Sequence, residues 1–581
     1  MSAATQALPP YLKKYVAEQK YEKYSPEDHA AWRYIMRQNR EFFGKHAVSI
    51  YTEGLGKTGV TLDRIPLIEE MDNCLSAFGW GAVPVVGFIP PAAFLEFQAR
   101  GVLPIACDMR TLQHVAYTPA PDIVHEAAGH APIVADPNYA AYLRRYAKMA
   151  QKAIQSIDDI RVYEAIRYLS DIKENPDTPP AMIAQAEERL KEVTRNVRYV
   201  SEGVKIARMA WWTVEYGLVE TPDGPKIYGA GLLSSVGESQ ACLSSSVKKI
   251  PLSVGCVEQS YDITEPQPQL FVARSMDHLS HVLAELEKTL AFRTGGEGGL
   301  KSAKLAETVT TAVLDSGVSA SGVLTEYRMR DGEVIFLKYS GPVQLAHDEH
   351  EINGHGRERH GTGFSTPIGR WKKYPDRAPQ TLTHAELEAA GLIPGKFARL
   401  ELTNGFVIEG KFIDHRHSHG KLQMLEWADC RVLLGSEVLF QPEWGVFDQL
   451  VGEKVESVFG GPADSFHYGD WDMGEASTTP SRQSPFTAKE LELHEVYKTT
   501  RQWREKGFPP AEIETLAKTL TEKFPDEWLP MLETYELLVQ AKSQSPTAAR
   551  LKETLEAKAK LSSSTTRDLI LKGLAVAPTK D

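Results

Sequence analysis

A chain of 581 residues is too long for one hydrophobic core, and ordinary domain sizes predict three or four domains. Its composition, 42% hydrophobic and 24% charged, is that of a soluble globular protein, and a net charge of −12 argues against a nucleic-acid-binding body, which needs clustered Lys and Arg. No apolar run approaches the roughly 18 residues of a membrane span, and the start lacks the apolar region of a signal peptide. The five cysteines (Cys74, Cys107, Cys242, Cys256 and Cys430) contain no C-x-x-C, so neither a disulfide framework nor a cysteine zinc site is expected, and a reduced, cytoplasmic location follows.

Residues 1–60 read as helical, with SPEDHAAWRYIMRQNREFF an amphipathic segment opening at Ser25 as N-cap. Only about twenty residues precede it, which leaves no room for a separate regulatory domain in front. From Ile65 to Arg110 short helices are broken by Gly and Pro, and VPVVGFIPPAAFLEF is an extended apolar strip entering a helix at Pro90–Pro91. PDIVHEAAGHAP follows at 121–132, and a helical stretch then runs from Asn138 to about Arg208, interrupted at ENPDTPP. MAWWTVEYGL and YGAGLLSSVGES come next; the glycines and serines of the second suggest a tight backbone lining a cavity. The run TGGEGG at 294–299 is the clearest domain boundary. Beyond it, residues 305–475 alternate as strands do, with turns every 8–12 residues, predicting a small barrel or sandwich. Residues 486–575 are helical and suit antiparallel helix pairs.

PDIVHEAAGHAP organises the chain. Asp122 is placed to cap a helix whose first turns carry His125 and His130. Five residues on a regular α-helix leave two side chains roughly 140° apart, so a shared ion requires the helix to relax, and Gly129 is where it would do so. Two neutral imidazoles and one carboxylate make the facial triad that holds non-haem Fe(II). Glu215 is the best carboxylate, because a glutamate between Trp211, Trp212, Val214 and Tyr216 is costly to bury unless something positive pairs with it. Arg110 offers a guanidinium fork that grips a substrate carboxylate at two points.

RTLQHVAYTPAPDIVHEAAGHAP, followed in order by WWTVEYGL, YGAGLLSSVGE and YDITEPQP, resembles the pterin-dependent aromatic amino acid hydroxylases, phenylalanine 4-monooxygenases in particular, over roughly residues 20–295. The resemblance implies Fe(II) on His125, His130 and Glu215, and a substrate site of Arg110 oriented by Asp122, Thr118 and Ser234 holding the amino acid backbone, and Trp211 and Pro121 walling the aromatic pocket. It places Val85, Gly87, Ile89 and Phe94 on the tetrahydropterin, with Tyr261, and with Glu126 through water. Glu126 and Glu238 are the acidic residues it puts at the catalytic centre. The implied chemistry is a two-electron oxidation with tetrahydropterin as electron donor and O2 split at iron.

The chain departs from the family pattern in four ways. The 85 residues from His130 to Glu215 (215 − 130) are dozens more than usual, predicting a helical insert near 155–198. Pro104 stands where animal members carry a histidine near the pterin, and Pro91 replaces a pterin-loop serine. Without an amino-terminal regulatory domain, activation by phenylalanine of the animal type is not expected. Seven of the 17 histidines lie in HDEHEINGHGRERH and DHRHSHG; two polar loops of the β domain are the plainer reading, and a second metal site the sharper one.

The expected fold is therefore an α+β multidomain chain. A mainly α catalytic domain with few short strands (1–295) is followed by a Gly-rich linker (296–304), a β-rich domain (305–480) and a helical C-terminal region (481–581). A chain ending near Gly299 would then fold and turn over alone. The expected function is hydroxylation of free L-phenylalanine to L-tyrosine, with tryptophan or tyrosine as alternative substrates. A zinc hydrolase using Glu126 as general base is the alternative from another class, and a scaffold acting through residues 300–581 is a third. The expected partners are small molecules, with no nucleic acid or membrane, and homo-oligomer or protein contacts through residues 300–581.

Overall fold

A computed structural model of the chain describes residues 3–115, 122–174, 178–235, 237–262, 266–469, 486–543 and 545–578. It is a multidomain mixture of helix and strand, and among the described residues no helix is long and apolar enough to cross a membrane.

The helix Pro26–His46 begins as its sequence predicts, with Ser25 Oγ accepting from the Asp28 N–H and the Asp28 carboxylate accepting from the Ser25 N–H. It is not a helix with one wet face, because 12 of its 21 residues are buried and both sides are covered. On one side Trp32 donates to the Thr61 carbonyl (2.9 Å) and Asn39 to the Leu233 carbonyl (3.1 Å). On the other, Arg33 meets Glu533 (2.7 Å), and Arg37 and Arg504 both meet Glu536 (3.0 Å each). Tyr34 donates to the Leu569 carbonyl (2.7 Å).

Those partners lie on the C-terminal helices Ala488–Lys506, Trp528–Gln540 and Ser564–Val576, which with Pro510–Lys523 and Pro546–Leu561 close on the first half of the chain. Leu529, Met531 and Leu538 belong to the same apolar core as Trp32, Ile35 and Trp212. The helical C-terminal region expected at 481–581 thus shares its apolar core with the first half of the chain. Buried arginines require carboxylates, and here the carboxylates arrive from some 500 positions away.

The strands of the first half are short. Gly81–Val85 and Val102–Ala106 pair in parallel around the helix Pro91–Ala99, and Leu218–Val219, Lys226–Ile227, Lys248–Pro251 and Gln269–Ala273 form a second small sheet. The helices Ile157–Glu174 and Pro180–Arg195 stand out as a hairpin. Its base is fastened by Arg198, which binds Asp158 (2.8 Å) and Glu307 (2.7 Å).

The glycine run is not a flexible linker. Gly296–Ala306 is a helix whose Leu300, Ala303 and Ala306 are buried in the second apolar core. Gly299 is there for close packing, since a Cβ at that position would stand 2.9 Å from the Val458 side chain. Backbone bonds continue the contact, from the Gly460 N–H to the Lys152 carbonyl (3.1 Å), and Thr308 Oγ1 donates to the Gln155 carbonyl (2.7 Å). A chain ending near Gly299 would lose both this seam and the cover of the C-terminal helices.

The β-rich half holds two antiparallel sheets. One is built on the hairpin Val318–Arg330 with Glu333–His347, the other on Phe406–Ser418 with Lys421–Leu434. Each has its own apolar core.

Candidate metal and substrate centre

His125 and His130 lie on a π-helical segment, Val124–His130, and Glu215 ends another, Trp211–Glu215. A π-turn closes i→i+5 hydrogen bonds, so residues five apart come to stand over one another. This wider winding resolves the five-residue step that a regular helix could not. Gly129 serves it by close approach, because a Cβ there would meet the Ala230 carbonyl oxygen at 2.7 Å.

The three side chains converge. The two Nε2 atoms are 3.2 Å apart, and the Glu215 oxygens lie 3.4 Å from His125 Nε2 and 3.3 Å from His130 Nε2. Ligands about 2.1 Å from a shared ion are separated by roughly 3.0–3.4 Å, so the triangle has the size of a metal site. Burial pushes the Glu215 carboxyl up, but His130, His125 and the Gly231 N–H reverse this and hold it at about 2. Burial lowers His125 to about 4. For His130 burial opposes the charged ring, yet Glu215 raises it.

Ser234 sets the tautomer of His125. Its hydroxyl donates to the Ala230 carbonyl (2.9 Å), so its oxygen accepts from His125 Nδ1–H (3.0 Å) and leaves the Nε2 lone pair facing the triangle. Asp122 ties Arg110 to the segment that carries His125 and His130. Its carboxylate accepts from Arg110 Nε and Nη2 (2.7 Å each), from the Arg110 N–H and from the His125 N–H (3.0 Å each). Arg110 Nη1 donates to the Ser234 carbonyl (3.1 Å). Among the described residues, one hydrogen on each terminal nitrogen meets no acceptor.

Trp211 is stacked on Tyr216 (4.6 Å) and on Tyr261 (4.2 Å, 7° between planes). The residues expected on the substrate and on the pterin thus share one stack. Glu126 is buried beside the triad, and burial raises its carboxyl to about 7. Glu238 is placed differently from expectation. Its carboxylate accepts from Tyr216 Oη (3.1 Å) and the Gln267 N–H (3.0 Å), bracing the stack rather than meeting the three donors. Thr118 and Pro121 lie outside the described residues.

The strip at Val85, Gly87 and Ile89 is held by its neighbours. The Val85 carbonyl accepts from the Cys107 N–H (2.9 Å), and the Gly87 N–H donates to Asp108 (3.0 Å). The Ile89 carbonyl accepts from Tyr163 Oη (2.8 Å). Phe94 packs against a small core that includes Val83 and Val85. Tyr163 belongs to the helical hairpin, 74 positions from Ile89, and no local pattern in the sequence signals it. Tyr163→Phe should loosen the strip by one hydrogen bond, about 1 kcal/mol, raising the KM for tetrahydropterin about fivefold with kcat nearly unchanged. Steady-state kinetics at varied pterin would show this, and an unchanged KM would remove Tyr163 from the strip's support.

Residues 12–157 and 196–293 match a family described as biopterin-dependent aromatic amino acid hydroxylase, so the match passes over the hairpin. The phenylalanine-4-hydroxylase of Mesorhizobium japonicum is 30% identical over 276 residues, 46% of this chain and 84% of that protein. That of Chromobacterium violaceum is 28% identical over 271 residues, 45% of this chain and 76% of that one. A solved structure of the C. violaceum phenylalanine hydroxylase, with bound iron(III) and oxidised 7,8-dihydrobiopterin, is 26% identical. It covers 48% of this chain and 92% of its own, at a TM-score of 0.36.

Proposed function

Because the chain belongs to the biopterin-dependent aromatic amino acid hydroxylases, we propose that it is an iron-dependent monooxygenase that hydroxylates free L-phenylalanine to L-tyrosine with O2 and tetrahydropterin. The observation that carries the reading is the 3.2–3.4 Å triangle of His125, His130 and Glu215. These three residues would hold Fe(II), and with the pterin as electron donor the metal supplies an oxidation no side chain performs.

The chain's own residues position and exclude. Ser234 keeps the His125 Nε2 lone pair available. Arg110, fixed by Asp122, receives the substrate carboxylate, and the ring lies against Trp211. Val85, Gly87, Ile89 and Phe94 receive the pterin, with Tyr261 backing Trp211 between the two sites. Glu126, buried beside the triad, reaches the pterin from the other side through water. The hydroxylase body comprises residues 1–295 together with the C-terminal helices, and the helix at 296–306 opens the β-rich body. We place the enzyme in the cytoplasm, in keeping with its five unbridged cysteines. Family membership removes the ground for the zinc hydrolase reading.

The test is the full-length protein loaded with iron and supplied with tetrahydropterin, air and each aromatic amino acid. Phenylalanine should be the best substrate, giving tyrosine with pterin-dependent O2 uptake. Faster hydroxylation of tryptophan or tyrosine would reassign the substrate, and no pterin-dependent O2 uptake with any of the three would overturn the proposal.

A further inference from the structure

In the β-rich half the histidine-rich segment folds back along the strand Glu333–His347. The Leu345 N–H donates to the His355 carbonyl (2.9 Å) and the Val343 N–H to the His360 carbonyl (3.1 Å), so both histidines are pinned by their backbones. Facing them is Asp448 on the strand Phe447–Leu450, which belongs to the other sheet. His355, His360 and Asp448 are 4%, 8% and 3% exposed. His355 Nδ1 and His360 Nε2 each lie 3.5 Å from Asp448 Oδ2, and among the described residues neither nitrogen has a hydrogen-bond partner.

Leaving two imidazole nitrogens buried and unpaired is unfavourable unless something occupies the point they face. A separation of 3.5 Å is too long for a good hydrogen bond. It is close to the roughly 3.3 Å between ligands that bind a tetrahedral ion at about 2.0 Å. The surroundings are those of a ligand set held from outside. His355 Nε2 lies 3.5 Å from Glu426 Oε1 on the far side of the ring, so Nδ1 is the nitrogen turned toward Asp448. Arg359 binds both Asp448 oxygens (2.7 and 2.8 Å) and reaches Glu426 (3.3 Å). The guanidinium offsets one of the two carboxylates, which leaves little for Mg2+ or Ca2+, cations that depend on anionic oxygen. A borderline-soft ion gains instead from the imidazoles.

We propose that His355, His360 and Asp448 form a second divalent-metal site, with a preference for Zn2+, that staples the histidine-rich segment of one sheet to a strand of the other. The site is separate from the His125–His130–Glu215 centre and does not depend on the hydroxylase reading. The nearby trio of His347, Asp348 and His419 is a different case, with Asp348 and His419 exposed, and it serves as the control.

The full-length chain carrying His130→Ala, which disables the first centre, is stripped with a chelator and dialysed against Zn2+ or Co2+. About one equivalent of Zn2+ should remain bound, and Co2+ should give the intense visible bands of a tetrahedral ion. Adding His360→Asn, which leaves the Arg359–Asp448 pair intact, or Asp448→Asn should abolish both signals, whereas His419→Ala should change neither. In the unmutated chain, Zn2+ should raise Tm by a few degrees, and His360→Asn should remove the rise. No bound Zn2+ in the His130→Ala chain, or binding lost with His419→Ala and kept with His360→Asn, would overturn the site. Because the readouts are metal content, spectrum and Tm, they stand whatever the hydroxylase assay gives.

Discussion

Glu215→Ala should fold, retain little iron, and lose phenylalanine hydroxylation by about a thousandfold or more, because metal activation is worth several kcal/mol and each 1.36 kcal/mol is a factor of ten. Glu215 supplies the charge in a triangle whose other corners are imidazoles, and alanine leaves two neutral donors that hold a divalent ion poorly. The fold should survive because the segment carrying Glu215 is anchored by its neighbours. Trp212 donates to the Gln259 carbonyl (2.9 Å), and Thr213 Oγ1 bonds the Met209 carbonyl (2.6 Å) and Tyr142 (2.7 Å). Removing a carboxylate from a buried site also relieves its desolvation. Iron content, circular dichroism and product formation measured on one preparation decide the matter. Activity within tenfold of the unmutated protein would end the assignment of Glu215 as a ligand.

The second large effect is expected far from the metal. Glu533→Ala strands Arg33, 2% exposed, without its partner, and breaking a buried pair by removing one member destabilises by about 3–5 kcal/mol. Deleting residues 486–581 does more. It strips the partners of Arg33, Arg37 and Tyr34 together and uncovers the apolar surface under Leu529, Met531 and Leu538. Such a chain should be insoluble or inactive, whereas a hydroxylase confined to the family match would not notice. The helix between the two regions also donates through Asn39 to the Leu233 carbonyl, next to Ser234 and so to His125. Denaturant unfolding of Glu533→Ala and the solubility and turnover of the shortened chain are the measurements. A soluble, fully active chain ending at residue 485 would show the C-terminal helices to be dispensable.

The three side chains that converge were legible as candidates because they sit in distinctive contexts. His125 and His130 flank Glu126 and Gly129, and Glu215 lies among aromatics that make its burial expensive without a partner. That the helix must relax near Gly129 was legible, but the π-winding of the whole segment Val124–His130 was not, since it follows from tertiary contacts such as Gly129 against Ala230. The amphipathic reading of SPEDHAAWRYIMRQNREFF left out, for a related reason, that Arg33 and Arg37 are buried against Glu533 and Glu536. A 3.6-residue pattern reveals which side of a helix is apolar, but says nothing of what covers its charged side. The glycines at 294–299 read as flexible because glycine permits both freedom and close packing, and only the neighbour at Val458 distinguishes them.

By itself, then, the amino-acid order determined the chemistry available to this protein: two imidazoles, a carboxylate, an arginine and an aromatic wall, in the order in which one enzyme family carries them. Local signals such as the Ser25 cap and the strand alternation also determined where most elements run, because these depend on neighbours a few positions away. Tertiary structure alone decided that the last helices close the first core, that Tyr163 props the Ile89 carbonyl, and that His355 and His360 meet Asp448. Each of these pairs groups dozens to hundreds of positions apart, and which buried charge or lone pair finds which partner is settled only when the whole chain has to satisfy them at once.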